Sequence, residues 1–340
     1  MATIKDVARL AGVGVGTASR VISGNGSVAP ATAERVRKVI AQLKFRPSQA
    51  ARSLGAGTSK LIGVYIPFLR GTYYTPILRV IDTVLRGQGL HMVVAFGDGI
   101  ADERAEANDG IRFLLERDCD GLIVMSNAIQ DEDIKALGAA QRQVVVLNRN
   151  FDRITEQCFM ADHVQGGVLA ARALLQHKHK EIAVVSGPTT SPDNVARLAG
   201  FMGELAARGL DMTKIVTLPG DFSNQSGWDA AGELLALKKR PTAVFCANDE
   251  MAIGLLSHCQ ERGVSVPHEL SVLGYDDTPS AEFAAPRLTS VHIPSREVAL
   301  AGLHWLLNRC YGMDLPVSRQ FDITVSWRAS VAAPVSRKRS

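Results

Sequence analysis

At 340 residues, 46% hydrophobic and 21% charged, the chain has an ordinary globular composition and length for two or three domains. No apolar run approaches the ~20 residues of a membrane span, and no charged-then-apolar leader opens the chain. A cytoplasmic protein with no membrane partner is expected. The net charge of +4 is unevenly spread: residues 1–60 hold ten Lys and Arg against Asp6 and Glu34, so the head is +8 and the remainder −4. That asymmetry suits a polyanion partner for the head alone.

The stretch from Thr3 to Ile22 begins with apolar residues at Ile4, Val7, Ala8 and Ala11, one face of a helix. Thr3 with Asp6 three residues on reads as a capping box. Gly12-Val13-Gly14 breaks the helix, and a second short helix is predicted from about Val15 to Ile22. Two short helices about a tight Gly-containing turn make a helix-turn-helix, whose second helix reads the major groove. Its outer side would carry Val15, Gly16, Thr17, Ser19 and Arg20. Arginine can bond guanine O6 and N7 together, while Thr17 and Ser19 can reach phosphates. Residues 23–32 are turn formers. A third helix from about Ala33 to Leu43 would close a small core through Val36, Val39, Ile40 and Leu43. Pro47 stops it. Ser48–Leu54 is one short helical stretch that needs a partner to order it.

From Lys60 onward short apolar strands alternate with helices. Strands are predicted at 61–66, 90–96, 121–125 and 143–148, with helices at 74–87, 102–117 and 131–139. After about Asp162 the alternation restarts: helices at 163–177, 195–208, 226–237 and 249–262, strands at 181–186, 214–218, 243–247 and 271–275. Such alternation means α/β architecture with parallel sheets covered on both faces, in two successive lobes. Ligands of such sheets sit beyond the carboxyl ends of the strands. The residues expected there are Tyr73, Tyr74, Asn148, Arg149 and Asp162 in the first half. In the second half they are Ser191, Asp193, Arg197, Phe222, Asn248 and Asp276. Vicinal hydroxyls can take paired bonds from Arg and Asn and give them to Asp, and aromatic faces cover a sugar ring's C–H side.

The runs TIKDVARLAGV, TASRVI and RPSQAARSL, with RLAGF (197–201), ANDEMAIG (247–254) and GYDD (274–277), resemble the lactose/galactose repressor family of bacterial transcription regulators. The similarity extends over nearly the whole chain. It implies a helix-turn-helix head over residues 1–46, a hinge helix and linker at 47–57, and a two-lobed periplasmic-binding-protein-like body at 58–340. Lobe one would comprise about 61–161 and 293–322, lobe two about 162–291 and 323–335. The chain would cross between lobes near Ala161–Asp162, Val291–Ile293 and Asp322–Val325. Thr3 and the reader positions would contact DNA. Ser48, Ala51 and Leu54 would enter the minor groove, with Leu54 as a wedge between base pairs. Two departures stand in the head: Gly14 and Ala18 replace the usual serine and valine. Val15 and Gly16, at the family's main specificity positions, offer almost no hydrogen-bonding groups, and Gly16 costs the helix ~1 kcal/mol relative to alanine.

The resemblance implies a homodimeric repressor on operator DNA, governed by a small sugar or sugar derivative. A purine or nucleoside effector is the near alternative, and a sugar-binding transport protein the more remote one. The lactose repressor's leucine-heptad tail is missing, so a dimer is expected. No GxSxG, Walker loop or HExxH occurs, and the five cysteines are odd in number and scattered, so neither enzyme, cofactor nor metal is expected. His177 and His179 read as a solvated turn, and the basic tail at 337–339 as a solvated end.

Overall fold

The computed structural model describes residues 2–23, 26–45, 58–98 and 102–334. Three helices open it: α1 (Ile4–Ala11), α2 (Val15–Ser23) and α3 (Pro30–Gln42). The Thr3 backbone N donates to Asp6 Oδ2 at 3.0 Å while the Asp6 N donates to Thr3 Oγ1 at 3.3 Å, the reciprocal box expected. Gly12, at φ +63°, ends α1. Val7, Ala8, Ala11, Ala18, Val36 and Val39 interlock as the head's core. The third helix starts earlier than expected because Pro30 sits in its first turn, where a missing N–H costs nothing. Ser48, Ala51 and Leu54 lie outside the described residues.

The first sheet contains β1 (Leu61–Ile66), β2 (His91–Phe96), β3 (Gly121–Val124), β4 (Val144–Leu147) and β5 (Cys158–Phe159), all parallel in the order β2-β1-β3-β4-β5. Its helices are α4 (Tyr74–Gly87), α5 (Glu103–Glu116) and α6 (Asp131–Ala136). The last is shorter than expected, because Gly138 at φ +56° turns the chain into a 3-10 segment over Gly138–Gln143. Asp120 secures the chain's entry into this sheet: its carboxylate accepts from the backbone N of Ser59 and of Lys60, both at 2.8 Å, and from the Tyr311 hydroxyl at 2.6 Å.

The second sheet contains β6 (Ile182–Ser186), β7 (Val216–Pro219), β8 (Ala243–Cys246), β9 (Ser271–Asp276), β10 (Thr289–His292) and β11 (Thr324–Ser326), in the order β11-β10-β9-β8-β6-β7. Only β11 runs antiparallel. Its helices are α7 (His163–Gln176), α8 (Pro192–Ala207), α9 (Asn224–Ala236), α10 (Asp249–Glu261) and the short α11 (Pro279–Phe283). A further helix, α12 (Ser295–Tyr311), follows β10 yet packs on β3, β4 and β5 of the first sheet. Periodicity did not reveal α12 because its polar residues are not gathered on one face opposite the buried Val298, Ala299, Leu303, Leu306 and Leu307.

Two helix pairs on the second sheet cross at glycines. A Cβ on Gly167 would lie 1.9 Å from the Arg197 carbonyl oxygen, and one on Gly200 1.9 Å from that of Val164, so α7 and α8 touch backbone to backbone. Gly227 and Gly254 do the same for α9 and α10. The expectation for His179 is corrected: it is buried, with ring nitrogens 3.0 Å from Thr242 Oγ1 and 2.8 Å from the Ala332 carbonyl oxygen. The returning segment after β11 covers it, a long-range contact invisible in the local pattern.

Candidate functional site: an outward helix and a cleft between two sheets

On the head, Val15, Gly16, Ser19 and Arg20 are exposed and Thr17 is half-buried, while Ala18 faces the core. One side of α2 therefore presents all five predicted reader positions to solvent. Thr3 is exposed, with its hydroxyl committed to Asp6 at 2.8 Å. Arg20→Ala is expected to lower affinity for a cognate operator far more than for random DNA, since a base contact is worth ~1–3 kcal/mol of discrimination. Titrations of both DNAs at one salt concentration check this; an equal loss on both would leave Arg20 with phosphate contacts only.

Between the two sheets lies a cavity of about 210 Å³. Its walls come from segments beyond the carboxyl ends of β1, β2, β3 and β4 on one side and of β6, β7, β8 and β9 on the other. These include the points where strand order reverses in each sheet, between β1 and β3 and between β6 and β8. Tyr73, Tyr74, Asn148, Ser191, Asp193, Arg197, Phe222, Asn248 and Asp276 all line it. Arg149 and Asp162 do not. Arg149 turns away to donate to the Asn127 carbonyl oxygen at 2.6 Å and lies over the Phe151 ring. Asp162 is exposed and caps α7, accepting from the Gln165 backbone N at 2.9 Å. Both adjoin the right segments, but their side chains point elsewhere.

Arg197 anchors the second-sheet wall. Its guanidinium lies 3.7 Å over the Tyr275 ring and 3.5 Å from Asp193 Oδ2, and one nitrogen donates to the Ala247 carbonyl oxygen. Tyr275 rests in turn on Phe245, which stacks on Phe201 at 4.5 Å. The arginine is thus held 2% exposed, with its Nε lacking a protein partner. Burial works to raise the pKa of Asp193, but Arg197 and His163 outweigh it and hold the carboxyl below its usual range. Burial, then Arg197, hold His163 down to about 4, so it is neutral at pH 7. Asp276 goes the other way: burial, reinforced by Asp249 and Asp193, lifts it well above the usual carboxylate range despite Arg197. A protonated carboxyl there can both donate to and accept from a hydroxyl.

Four residues at or beside the cavity hold positive φ although none is glycine: Asn148 (+62°), Phe222 (+68°), Asp276 (+100°) and Asp277 (+56°). Backbone strain of this kind costs ~1–3 kcal/mol per residue and survives only where surrounding contacts enforce it. Here they do. Asn148 Nδ2 donates to the Tyr73 hydroxyl at 2.8 Å. Asn248 Nδ2 donates to the Phe222 carbonyl oxygen at 3.0 Å while its Oδ1 caps α10 from the Met251 N at 2.9 Å. Asp277 is gripped by Ser326 at 2.7 Å, Arg328 at 2.7 Å and His292 at 3.1 Å.

The fully buried Asp249 holds the loop after Asp276, accepting from the Thr278 N at 2.6 Å and from Ser290 Oγ at 2.6 Å. Burial pushes its carboxyl up to about 7. Between its ordinary value of 3.8 and that raised one, the folded chain keeps a proton the unfolded chain has released. Its contribution to stability is therefore full at acid pH and is lost as pH rises through about 7, with a slope approaching ~1.4 kcal/mol per pH unit. Asp249→Asn should remove this loss, so the stability difference between variant and wild type grows in the variant's favour from pH 5 to about 7 and levels off towards pH 8. Denaturant titrations across that range check it; a constant difference would show that Asp249 does not titrate in this window.

Several cavity residues escaped the sequence reading: Arg70, Glu103, Asn127, Asp221 and Glu250. Asn127 and Glu250 also join the two walls. Asn127 Nδ2 donates to Ser191 Oγ at 3.0 Å and to Asp193 Oδ1 at 3.3 Å. Glu250 Oε1 accepts from the Thr72 N at 2.7 Å and from Thr72 Oγ1 at 3.1 Å. Asn127 follows a strand, as Asn148 does, and the same rule would have reached it.

An outward reader helix joined to a two-lobed receptor with a polar cleft defines a ligand-responsive DNA-binding regulator. Residues 3–48 match the family model described as bacterial regulatory proteins, lacI family, and residues 171–331 match that of a periplasmic binding protein-like domain. A transcriptional repressor named PurR from Vibrio atlanticus is 34% identical over 92% of this chain and 93% of its own length. Among solved structures, a LacI-family regulator from Burkholderia phymatum is 45% identical, with TM-score 0.77, over 80% of this chain and all but 1% of that one. The lac repressor dimer bound to operator and an anti-inducer is 28% identical, with TM-score 0.81, over 98% of this chain and 99% of that one. The chain belongs to the lacI family of bacterial regulatory proteins and is a DNA-binding transcriptional repressor, not an enzyme.

Proposed function

We propose that this repressor's hold on its operator is controlled by a small sugar or sugar derivative bound between the two sheets. Residues 1–46 serve as reader, 47–57 as hinge and 58–340 as sensor. A dimer places one reader on each half of a pseudo-palindromic operator. The observation that carries the ligand reading is the cavity's make-up: Arg197, Asp193, Asp276 and Asn248 on one wall, with the Tyr73, Tyr74 and Phe222 rings beside them. A volume of about 210 Å³ is below the ~300–1,000 Å³ typical of drug-sized ligands and suits a compact, hydroxyl-rich molecule. Because the loops of both sheets contribute, a ligand changes how the lobes meet. Operator and ligand then alter each other's affinity by one reciprocal factor.

The PurR relatives favour a second reading, a purine effector. Tyr73 and Tyr74 meet edge to face, 5.1 Å apart at 83°, so a flat bicycle would have to lie between one of them and another ring such as Phe222. Thermal shift against hexoses, pentoses, disaccharides and purine bases separates the two. A ligand at 100 times its Kd adds ~2.7 kcal/mol, readily visible as a rise in Tm. A rise with purine bases and with no sugar would sink the sugar reading.

A further inference from the structure

The charge of the cleft says more about the ligand than its hydroxyl-bonding groups do. Five acidic side chains line it, four of them carboxylates, Glu103, Asp193, Asp221 and Glu250, with Asp276 held in its protonated form by burial. Among the described residues, two guanidiniums, Arg70 and Arg197, and no lysine line the cavity with them. Both guanidiniums have electron-rich neighbours of the chain's own. Arg197 lies 3.5 Å from Asp193 and against the Tyr275 ring, and Arg70 is 4.4 Å over the Phe68 ring, close enough to Asp221 to steady its ionised form.

Helix N-termini at the cleft would ordinarily favour an anion. Here they are answered from within. The first turn of α5 carries Glu103, that of α8 Asp193, and that of α10 Asp249 and Glu250. One or two of the free N–H groups are taken by the side chains of Asp102 on α5, Ser223 on α9 and Asn248 on α10, while Ser191 makes no such bond on α8. Two of the cleft carboxylates are also held in place, Glu250 by Thr72 and Asp193 by Asn127, which keeps their charge at the cavity wall.

We infer that the effector enters this cleft without net negative charge. A neutral or amine-bearing polyol is accepted, and the phosphate ester or uronate of the same sugar is rejected. The inference rests on the sugar reading above and narrows it. Like charges at the cavity wall repel, with least screening at the half-buried Asp193 and Glu250 and more at the exposed Glu103 and Asp221, whereas an ammonium group is attracted by all four.

The test uses the full chain and a panel in which each hexose is offered as the neutral sugar, the 2-amino sugar, the 6-phosphate and the uronate. Titrated thermal shift ranks the four. Expected is a neutral or amino form that binds at least tenfold more tightly than its phosphate and its uronate. A phosphate or uronate that binds as tightly as its neutral parent overturns the inference and leaves the sugar reading standing. No shift with any of the four forms of any sugar overturns the sugar reading, and the inference with it. A second arm uses the double variant Glu103→Gln, Asp221→Asn, whose neutral-to-phosphate affinity ratio should shrink at least threefold. An unchanged ratio would show that these carboxylates are not the filter.

Discussion

Arg197→Ala is expected to weaken binding of the effector identified by thermal shift at least tenfold, while ligand-free operator affinity stays close to wild type. Hydrogen bonds to a charged group are worth ~1.5–3 kcal/mol, and this guanidinium is held flat on Tyr275 with its Nε free of protein partners. Its loss also strips Asp193 of the neighbour that keeps it ionised, so the variant wall changes both shape and charge. Arg197→Lys keeps a charge but not the planar fork and should fall between the two. In a cell with an inducible operator, the alanine variant would repress even with ligand present. Calorimetry on the folded variants decides the matter: unchanged affinity in Arg197→Ala would remove this residue from the site.

The largest loss of stability is expected from Gly167→Ala. The added methyl would sit 1.9 Å from the Arg197 carbonyl oxygen and 2.7 Å from the Phe201 nitrogen. These are backbone atoms that cannot rotate aside, so α7 and α8 must part. Overpacking typically costs ~1–3 kcal/mol, and occasionally more; a backbone-to-backbone contact belongs at or above ~3 kcal/mol. Gly203→Ala on the same α8 is the control. Nothing lies within 4 Å of its added Cβ, and an exposed helical glycine gains ~0.5–1 kcal/mol on becoming alanine. Denaturant midpoints for the two variants should therefore move in opposite directions. A Gly167→Ala protein as stable as wild type would mean that the two helices are not in backbone contact.

The head was readable because its determinants are local. The capping box links residues three apart, Gly12 turns the chain at one position, and Val7, Ala8 and Ala11 recur at helical spacing. Most of the strands were readable for a similar reason, since a strand buried on both faces is a short apolar run, but the short β5, β10 and β11 were not anticipated. Helix α12 was not, because its polar residues Arg296, Glu297, His304 and Arg309 are spread around the helix and set no clear period.

At the cleft, the strand-end rule identified the right loops but could not say which way each side chain turns. Asn148 and Arg149 are neighbours in the chain. A left-handed backbone at Asn148 sends its amide to Tyr73, while Arg149 reaches back to the Asn127 carbonyl. Asp162 sits at the crossover, and there the free N–H groups of α7 claim it.

By itself the sequence determined the basic head, the helix-turn-helix, the alternating α/β body and the polar character of the residues at the strand ends. These follow from charge, period and turn chemistry, which act over a few residues. Only the tertiary structure decided that Arg197 rests on Tyr275, that Glu250 and Asn127 reach across to the facing wall, and that five acidic side chains share one small cavity. Those contacts join residues roughly 60 to 180 positions apart, and only packing of the two sheets against a common cleft brings them within bonding distance.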